Sequence, residues 1–197
     1  MTNEEVLELF YDSGAMLKGH FKLTSGRHSD VYFEKFTILR QPPYVERLCH
    51  MMSGLFRDDR VELVVGPTTG GVIIAYEVAR QLGTDAIYAE PNEAGTARVF
   101  KRGFDIDPGT RVLIVDDILT TGRSVREVID LCTRYQAHIV GIGLLLDRSG
   151  GQTRFEYPLK ALGTVAADSW DPNDCPLCAQ GMSLTQRGSR RFNLDIG

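Results

Sequence analysis

The sequence predicts an α/β fold: a central, mostly parallel sheet flanked by helices. Three observations carry that expectation. Short apolar stretches alternate with helical patterns between residues 61 and 147, which is the signature of parallel strands joined by crossover helices. Two turns rich in Gly and Thr stand where strands pass into helices. The composition, 43% hydrophobic and 24% charged in 197 residues, suits one domain with a real core. We expect that domain to span 1–197, with an N-terminal part over about 1–40 plus a C-terminal tail, and the core over about 44–166.

At the start, Thr2 and Glu5 are spaced as a capping box, and Val6, Leu9 and Phe10 recur at helical intervals, so residues 3 to 13 are expected to be helical. The segment GHFKLTSGRHSDVYFEKF (19–36) has strand-like patches but too many charges for a central strand. A second helix is expected over 44–57, with Val45, Leu48, Cys49, Met52 and Phe56 on one face. The alternation follows: strand 61–65, turn GPTTGG (66–71), helix 72–82 ending at Gly83, and strand 85–90. After it come strand 111–115, helix 123–135 and strand 138–147. The tail from about Trp170, with Pro172, Pro176, Gly181, Gly188 and Ser189, reads as irregular surface chain.

Charge and targeting signals narrow the function classes. A net charge of -4 argues against nucleic-acid binding. MTNEEVLELF lacks the basic-then-apolar layout of a signal peptide, and no apolar run is long enough to span a bilayer, so a cytoplasmic location and no membrane partner are expected. Cys49, Cys132, Cys175 and Cys178 are then expected as reduced thiols. Cys175 and Cys178 form a C-x-x-C, half of a zinc site or a redox pair in principle. No second C-x-x-C or close His pair accompanies it in sequence, and it reads as a local turn, with no metal expected on protein side chains. His138 opens a buried strand and reads as structural; His28 reads as a surface residue of the N-terminal part.

Chemistry concentrates at two turns. A parallel sheet places GPTTGG and DDILTTGRS at the carboxyl ends of strands, where open α/β sheets bind ligands. Both lead into helices and offer bare N–H groups and hydroxyls to an anion. Thr120, Thr121, Gly122, Arg123 and Ser124 are the donors of the second turn. Asp116 and Asp117 just before it would repel a phosphate unless they meet something else on the same ligand. A ribose diol suits carboxylate acceptors, and a hard cation such as Mg²⁺ is the alternative. A phosphorylated ribose bearing a diphosphate satisfies both turns and the acid pair.

VLIVDDILTTGRS resembles the phosphoribosyl-diphosphate (PRPP) signature of the type I phosphoribosyltransferases. The resemblance implies their fold and places Thr68, Thr69, Gly70 and Gly71 in a diphosphate loop that often carries a non-proline cis peptide. It implies that Asp116 and Asp117 are catalytic and hold the ribose, with Ile118, Leu119 and Thr120 to Ser124 completing the PRPP site. The hood segment, with its F-x-L-x-SGR-x-S-x-x-Y pattern, and LLLDRSGG (144–151) are similar to those of orotate phosphoribosyltransferases. That likeness implies transfer from PRPP to orotate, giving orotidine 5′-monophosphate and diphosphate in pyrimidine synthesis. It implies Mg²⁺ as cofactor, a homodimer, and Thr120, Arg148, Tyr32 and Phe33 as orotate contacts. CPLC…GSR is similar to one bacterial branch of these enzymes.

The chain departs from that pattern at a basic loop. AEPNEAGTARVFKRGF (89–104) is short and acidic at Glu90 and Glu93, leaving Arg98, Lys101 and Arg102 as cations for the diphosphate. Thr24 stands where a lysine is common, Lys22 is out of register with it, and Arg27 is expected near the diphosphate or a subunit contact. Two other readings stay open: a phosphoribosyltransferase for another base, and a non-catalytic PRPP-sensing protein.

Overall fold

The computed structural model describes residues 2–23, 25–165 and 169–186. Helix α1 (Asn3–Asp12) is capped by the reciprocal Thr2–Glu5 bonds and buries Val6, Leu9 and Phe10. Strands β1 (Met16–Lys22) and β2 (His28–Phe33) form an antiparallel pair, and the chain continues through α2 (Lys35–Leu39) and α3 (Pro42–Leu55). The regular part comprises β3 (Leu63–Pro67), α4 (Gly70–Leu82), β4 (Asp85–Pro91), β5 (Arg98–Val99), β6 (Arg111–Leu119), α5 (Arg123–Arg134) and β7 (His138–Asp147). The last elements are β8 (Leu159–Thr164), β9 (Ser169–Trp170), α6 (Pro176–Ala179) and β10 (Thr185–Gln186).

The large sheet has the order β5-β4-β3-β6-β7-β8, parallel throughout except for β5 against β4. Side chains alternate across it with period two. Leu113, Val115 and Leu145 join one buried cluster with residues of α1, α3 and α4. Val112, Ile114, Ile142 and Leu144 join the other, with Val125, Val128 and Leu131 of α5. All five residues expected on the buried face of α3 and its C-cap are in the core.

Three differences from the sequence expectation matter. Strand β6 runs four residues past Val115, so Asp116 and Asp117 lie inside a buried strand, not in a turn. Strand β8 has no clear period: only Gly163 of its six residues is buried, as suits the edge of a sheet. The tail expected to be irregular instead closes the hood sheet. β9 pairs with β2, β10 pairs with β1, and the order β10-β1-β2-β9 results. Strands of two residues carry no readable periodicity, which is why the sequence did not announce them. Thr24, Gly188 and Ser189 lie outside the described residues. Among the described residues, no helix is long and apolar enough to cross a membrane.

Helix α3 rests directly on β7 because glycines let it. A Cβ at Gly143 would come within 2.8 Å of Met52 Sδ, and one at Gly141 within 2.7 Å of Phe56 Cε1. Both partners are fully buried and have nowhere to go. We expect Gly143→Ala to destabilise the protein by about 1–3 kcal/mol in urea unfolding. Gly54→Ala, exposed on the same helix with nothing within 4 Å of the new methyl, should stabilise it by about 0.5–1 kcal/mol. Equal effects at the two positions would refute this packing account.

Candidate active site

The carboxyl ends of β3 and β6 are neighbours in the sheet, and the two Gly/Thr turns leave from them. Asp116 and Asp117 face opposite sides of β6. Asp116 turns toward α5: its Oδ2 accepts from Ser124 Oγ at 2.8 Å and its Oδ1 from the Asp117 N–H at 2.8 Å. Asp117 turns toward α2 and α4, where Lys35 Nζ lies 3.1 Å from Oδ1 and 2.8 Å from Oδ2. Its Oδ2 has no aligned hydrogen-bond donor despite that close ion-pair distance, so the contact with Lys35 there is Coulombic, and the directed bond goes to Oδ1. Burial pushes the Asp116 carboxyl up to about 6, the Asp117 charge adding to it, while Ser124, the Asp117 N–H and Lys35 oppose the rise.

The glycines of the first turn are required by packing. A Cβ at Gly70 would sit 1.8 Å from Asp117 Oδ2, one at Gly66 would sit 2.1 Å from Gly71 O, and one at Gly71 would sit 2.6 Å from Pro67 Cδ. Gly70 and Gly71 are buried at the start of α4, leaving Thr68 and the exposed Thr69 as the accessible part of this loop, joined by a cis peptide bond. In the second turn Gly122 has φ 76°, left-handed backbone that glycine adopts without strain. Ile118, Leu119, Thr120, Thr121, Gly122, Arg123 and Ser124 all line one cleft of about 380 Å³, whose opposite wall includes Arg98.

Arg98 joins the two turns. Its Nη1 donates to Thr68 Oγ1 at 3.2 Å and to Ala89 O at 2.9 Å, and its Nε lies 3.3 Å from Glu127 Oε2 of α5 without hydrogen-bond alignment. Lys101 and Arg102 are instead held by Glu90, at 3.5 and 3.1 Å. Arg123 is exposed and paired with Glu127 at 2.7 Å. Arg27 binds Ser169 of β9 through Nε at 3.0 Å and through Nη2 to its carbonyl, which fastens the hood to the tail.

At the end of β7, Arg148 meets the hood. Its guanidinium carbon lies 4.8 Å from the centre of the Phe33 ring, and its backbone N–H donates to Leu119 O at 2.8 Å. Burial lowers the Arg148 pKa and the Tyr32 hydroxyl acts in the opposite direction, so the two groups sense one another. Arg148 Nε is buried without a hydrogen-bond partner. A half-buried, stacked guanidinium with an unused donor suits a planar anion. The sequence-expected orotate residues Arg148, Tyr32 and Phe33 thus stand together, with Leu119 linking them to Thr120.

Lys35 and Glu127 were not singled out in the sequence. A buried acid pair requires a cation, and that requirement is the signal that could have found Lys35, two residues after Phe33. The histidine expectations need correcting. His138 is exposed at the start of β7, and His28 is buried in the hood against His20, because β1 and β2 turn both rings to one side.

The phosphoribosyl transferase domain model matches residues 37–176. An orotate phosphoribosyltransferase of Desulforamulus reducens is 42% identical over 192 residues, covering 98% of this chain and all of the relative. The crystal structure of orotate phosphoribosyltransferase from Aeropyrum pernix superposes with TM-score 0.67 and 27% identity, covering 81% of this chain and 93% of that one. An adenine phosphoribosyltransferase from Thermoanaerobacter pseudethanolicus shares the fold, with TM-score 0.60 and 17% identity over 68% of this chain and 88% of that one.

The raised Asp116 carboxyl fixes the sign of a pH effect. The folded state holds this proton more tightly than the unfolded chain, so Asp116 costs stability as pH rises from about 4 through about 6. Relative to the native protein, Asp116→Asn should therefore gain stability between pH 4 and pH 7, by at most on the order of 3 kcal/mol. Urea unfolding of both proteins at the two pH values measures it; a constant difference would contradict the assignment.

Proposed function

Because this chain belongs to the phosphoribosyl transferase family, we propose that it transfers the ribose 5-phosphate of PRPP to orotate, giving orotidine 5′-monophosphate and diphosphate. The observation that carries the choice of base is Arg148, a half-buried guanidinium stacked on Phe33 whose buried Nε is unpaired. Orotate brings a planar ring and a carboxylate, and both features answer to that group. The identity of 42% to an orotate enzyme over nearly the whole chain supports the same base.

The residues divide the work as follows. Thr120 to Ser124, at the N-terminus of α5, hold the 5′-phosphate with backbone N–H groups and hydroxyls. Asp116 and Asp117 accept from the ribose hydroxyls, for carboxylate oxygens already bound once can accept again. Their charge favours the positive charge that builds on the ribose ring as diphosphate leaves. Thr68, Thr69 and Arg98 face the diphosphate; Lys101 and Arg102, held by Glu90, are secondary candidates. Mg²⁺ fits as part of the PRPP substrate, since diphosphate and water supply the hard oxygen ligands it prefers while Asp116 and Asp117 face the ribose hydroxyls. Bound there, it offsets charge on the leaving group.

The hood and core act as one domain in this reading, since Tyr32 and Phe33 come from one and Arg148 from the other. A homodimer belongs to it as well. Tyr76, 68% exposed, stands with Ile73 and Val72 beside Leu39, Pro42 and Val45, an apolar groove suited to a second copy. The free cysteines fit a reducing, cytoplasmic setting.

Purified protein given PRPP, Mg²⁺ and orotate should consume orotate. Arg148→Ala should raise the KM for orotate about 10- to 100-fold, the loss of one charge-assisted contact, with PRPP binding by calorimetry unchanged. Orotate left untouched by the native protein while PRPP binds would defeat the base assignment and keep the ribose-phosphate site. By light scattering, Tyr76→Glu should shift a dimer toward monomer; a native protein already monomeric removes the dimer from the reading.

A further inference from the structure

Away from the cleft, the hood and the tail bring four metal-ligating side chains to one point. His20 comes from β1, His28 from β2, and Cys175 and Cys178 from the C-x-x-C that opens α6. One ligand atom from each lies within 4.8 Å of every other. His20 Nε2 is 3.0 Å from His28 Nδ1, 3.5 Å from Cys175 Sγ and 3.7 Å from Cys178 Sγ, and Cys178 Sγ is 3.3 Å from His28 Nδ1. We propose that these four residues bind a structural zinc ion that fastens the C-terminal segment to the hood.

Tautomer chemistry bears on this directly. His20 Nδ1 lies 2.8 Å from Met182 O, and a carbonyl only accepts, so Nδ1 carries the proton and Nε2 presents a lone pair. Three groups converge on that lone pair, and only one N–H or S–H could use it. A cation at the centre satisfies all four at once. Zinc bonds of about 2.0–2.1 Å to nitrogen and 2.3 Å to sulfur set tetrahedral ligands roughly 3.3–3.8 Å apart, close to the distances here. The Met182 carbonyl is the kind of outer contact that orients a ligating histidine.

The donor set selects the metal. Two thiolates and two imidazoles favour zinc over the hard cations, and two thiolates cancel its charge at a site where three ligands are buried and Cys178 is exposed. Four protein ligands leave no open position, so the site is structural, not catalytic. His20, His28 and Cys175 are 2%, 4% and 3% exposed, and both cysteines are free. The C-x-x-C that reads from sequence as a local turn is half of this site; the other half lies about 150 residues upstream, at spacings no zinc motif would flag.

The ion would hold the end of β2 opposite to Tyr32 and Phe33. Its effect on the enzyme therefore rests on the orotate reading above, while its presence does not. Untagged protein purified under reducing conditions should contain about one zinc per chain by elemental analysis. Cobalt-loaded protein should show thiolate-to-metal absorption and tetrahedral d–d bands. Cys178→Ser should lose both the zinc and the bands, and Cys49→Ser should keep them. Should Cys178→Ser fail to fold, a mercurial thiol reagent added to native protein in the presence of a zinc-indicator dye should release zinc in step with modification of two thiols. Protein free of zinc and lacking the cobalt bands would overturn the proposal. So would zinc retained in Cys178→Ser, or a Cys175–Cys178 disulfide found by mass spectrometry.

Discussion

Two adjacent carboxylates inside a buried strand are the constraint from which much of this structure follows. Neither can be left alone in the core: an isolated buried charge costs several kcal/mol. The strand solves this by alternation, sending Asp116 to one face and Asp117 to the other, so the two do not share one small volume. Each then recruits its own support. Asp116 takes the Ser124 hydroxyl, and that bond ties the strand end to the first turn of α5. Asp117 takes Lys35, and that ion pair ties the core to the short helix leaving the hood. Gly70 is dictated by the same carboxylate, since any side chain there would collide with Asp117 Oδ2. The two Gly/Thr turns and the hood are therefore anchored to one pair of residues.

Much of this was legible in the sequence, and the missing part has a common physical cause. The apolar runs at 111–115 and 138–147 and the helical spacing at Val45, Leu48, Cys49, Met52 and Phe56 are local patterns set by burial, and they transfer directly to structure. The seven residues from Ile118 to Ser124 line one cleft because a strand, a tight turn and a helix leave them no other arrangement. Pairings across long sequence separation were not legible. Lys35 meets Asp117 across 82 residues and Arg27 meets Ser169 across 142, and no local period encodes either. The end of β6 was read too short for a related reason: charge marks a strand end only when solvent meets it, and here Lys35 and Ser124 stand in for solvent.

The proposed base site raises a problem of precision that the hood cannot solve by packing alone. Phe33 and Tyr32 belong to the hood sheet, Arg148 to the core, and a displacement near 1 Å between such groups can cost on the order of 100-fold in rate. Yet the hood sheet is thin. Its outer strands are two residues long, β1 is broken by an irregularity between Lys18 and Phe21, and two antiparallel strands are marginal in water by themselves. Packing secures one end of β2, where Phe33 meets Phe10 and the Arg148 guanidinium. At the other end, five residues away, the His28 ring meets His20 and Cys178. Directed bonds to a cation restrain position more tightly per residue than apolar contact does, and they need little buried area. A small sheet that holds an aromatic ring against a half-buried arginine has most to gain from such a fastening at the end its core does not reach.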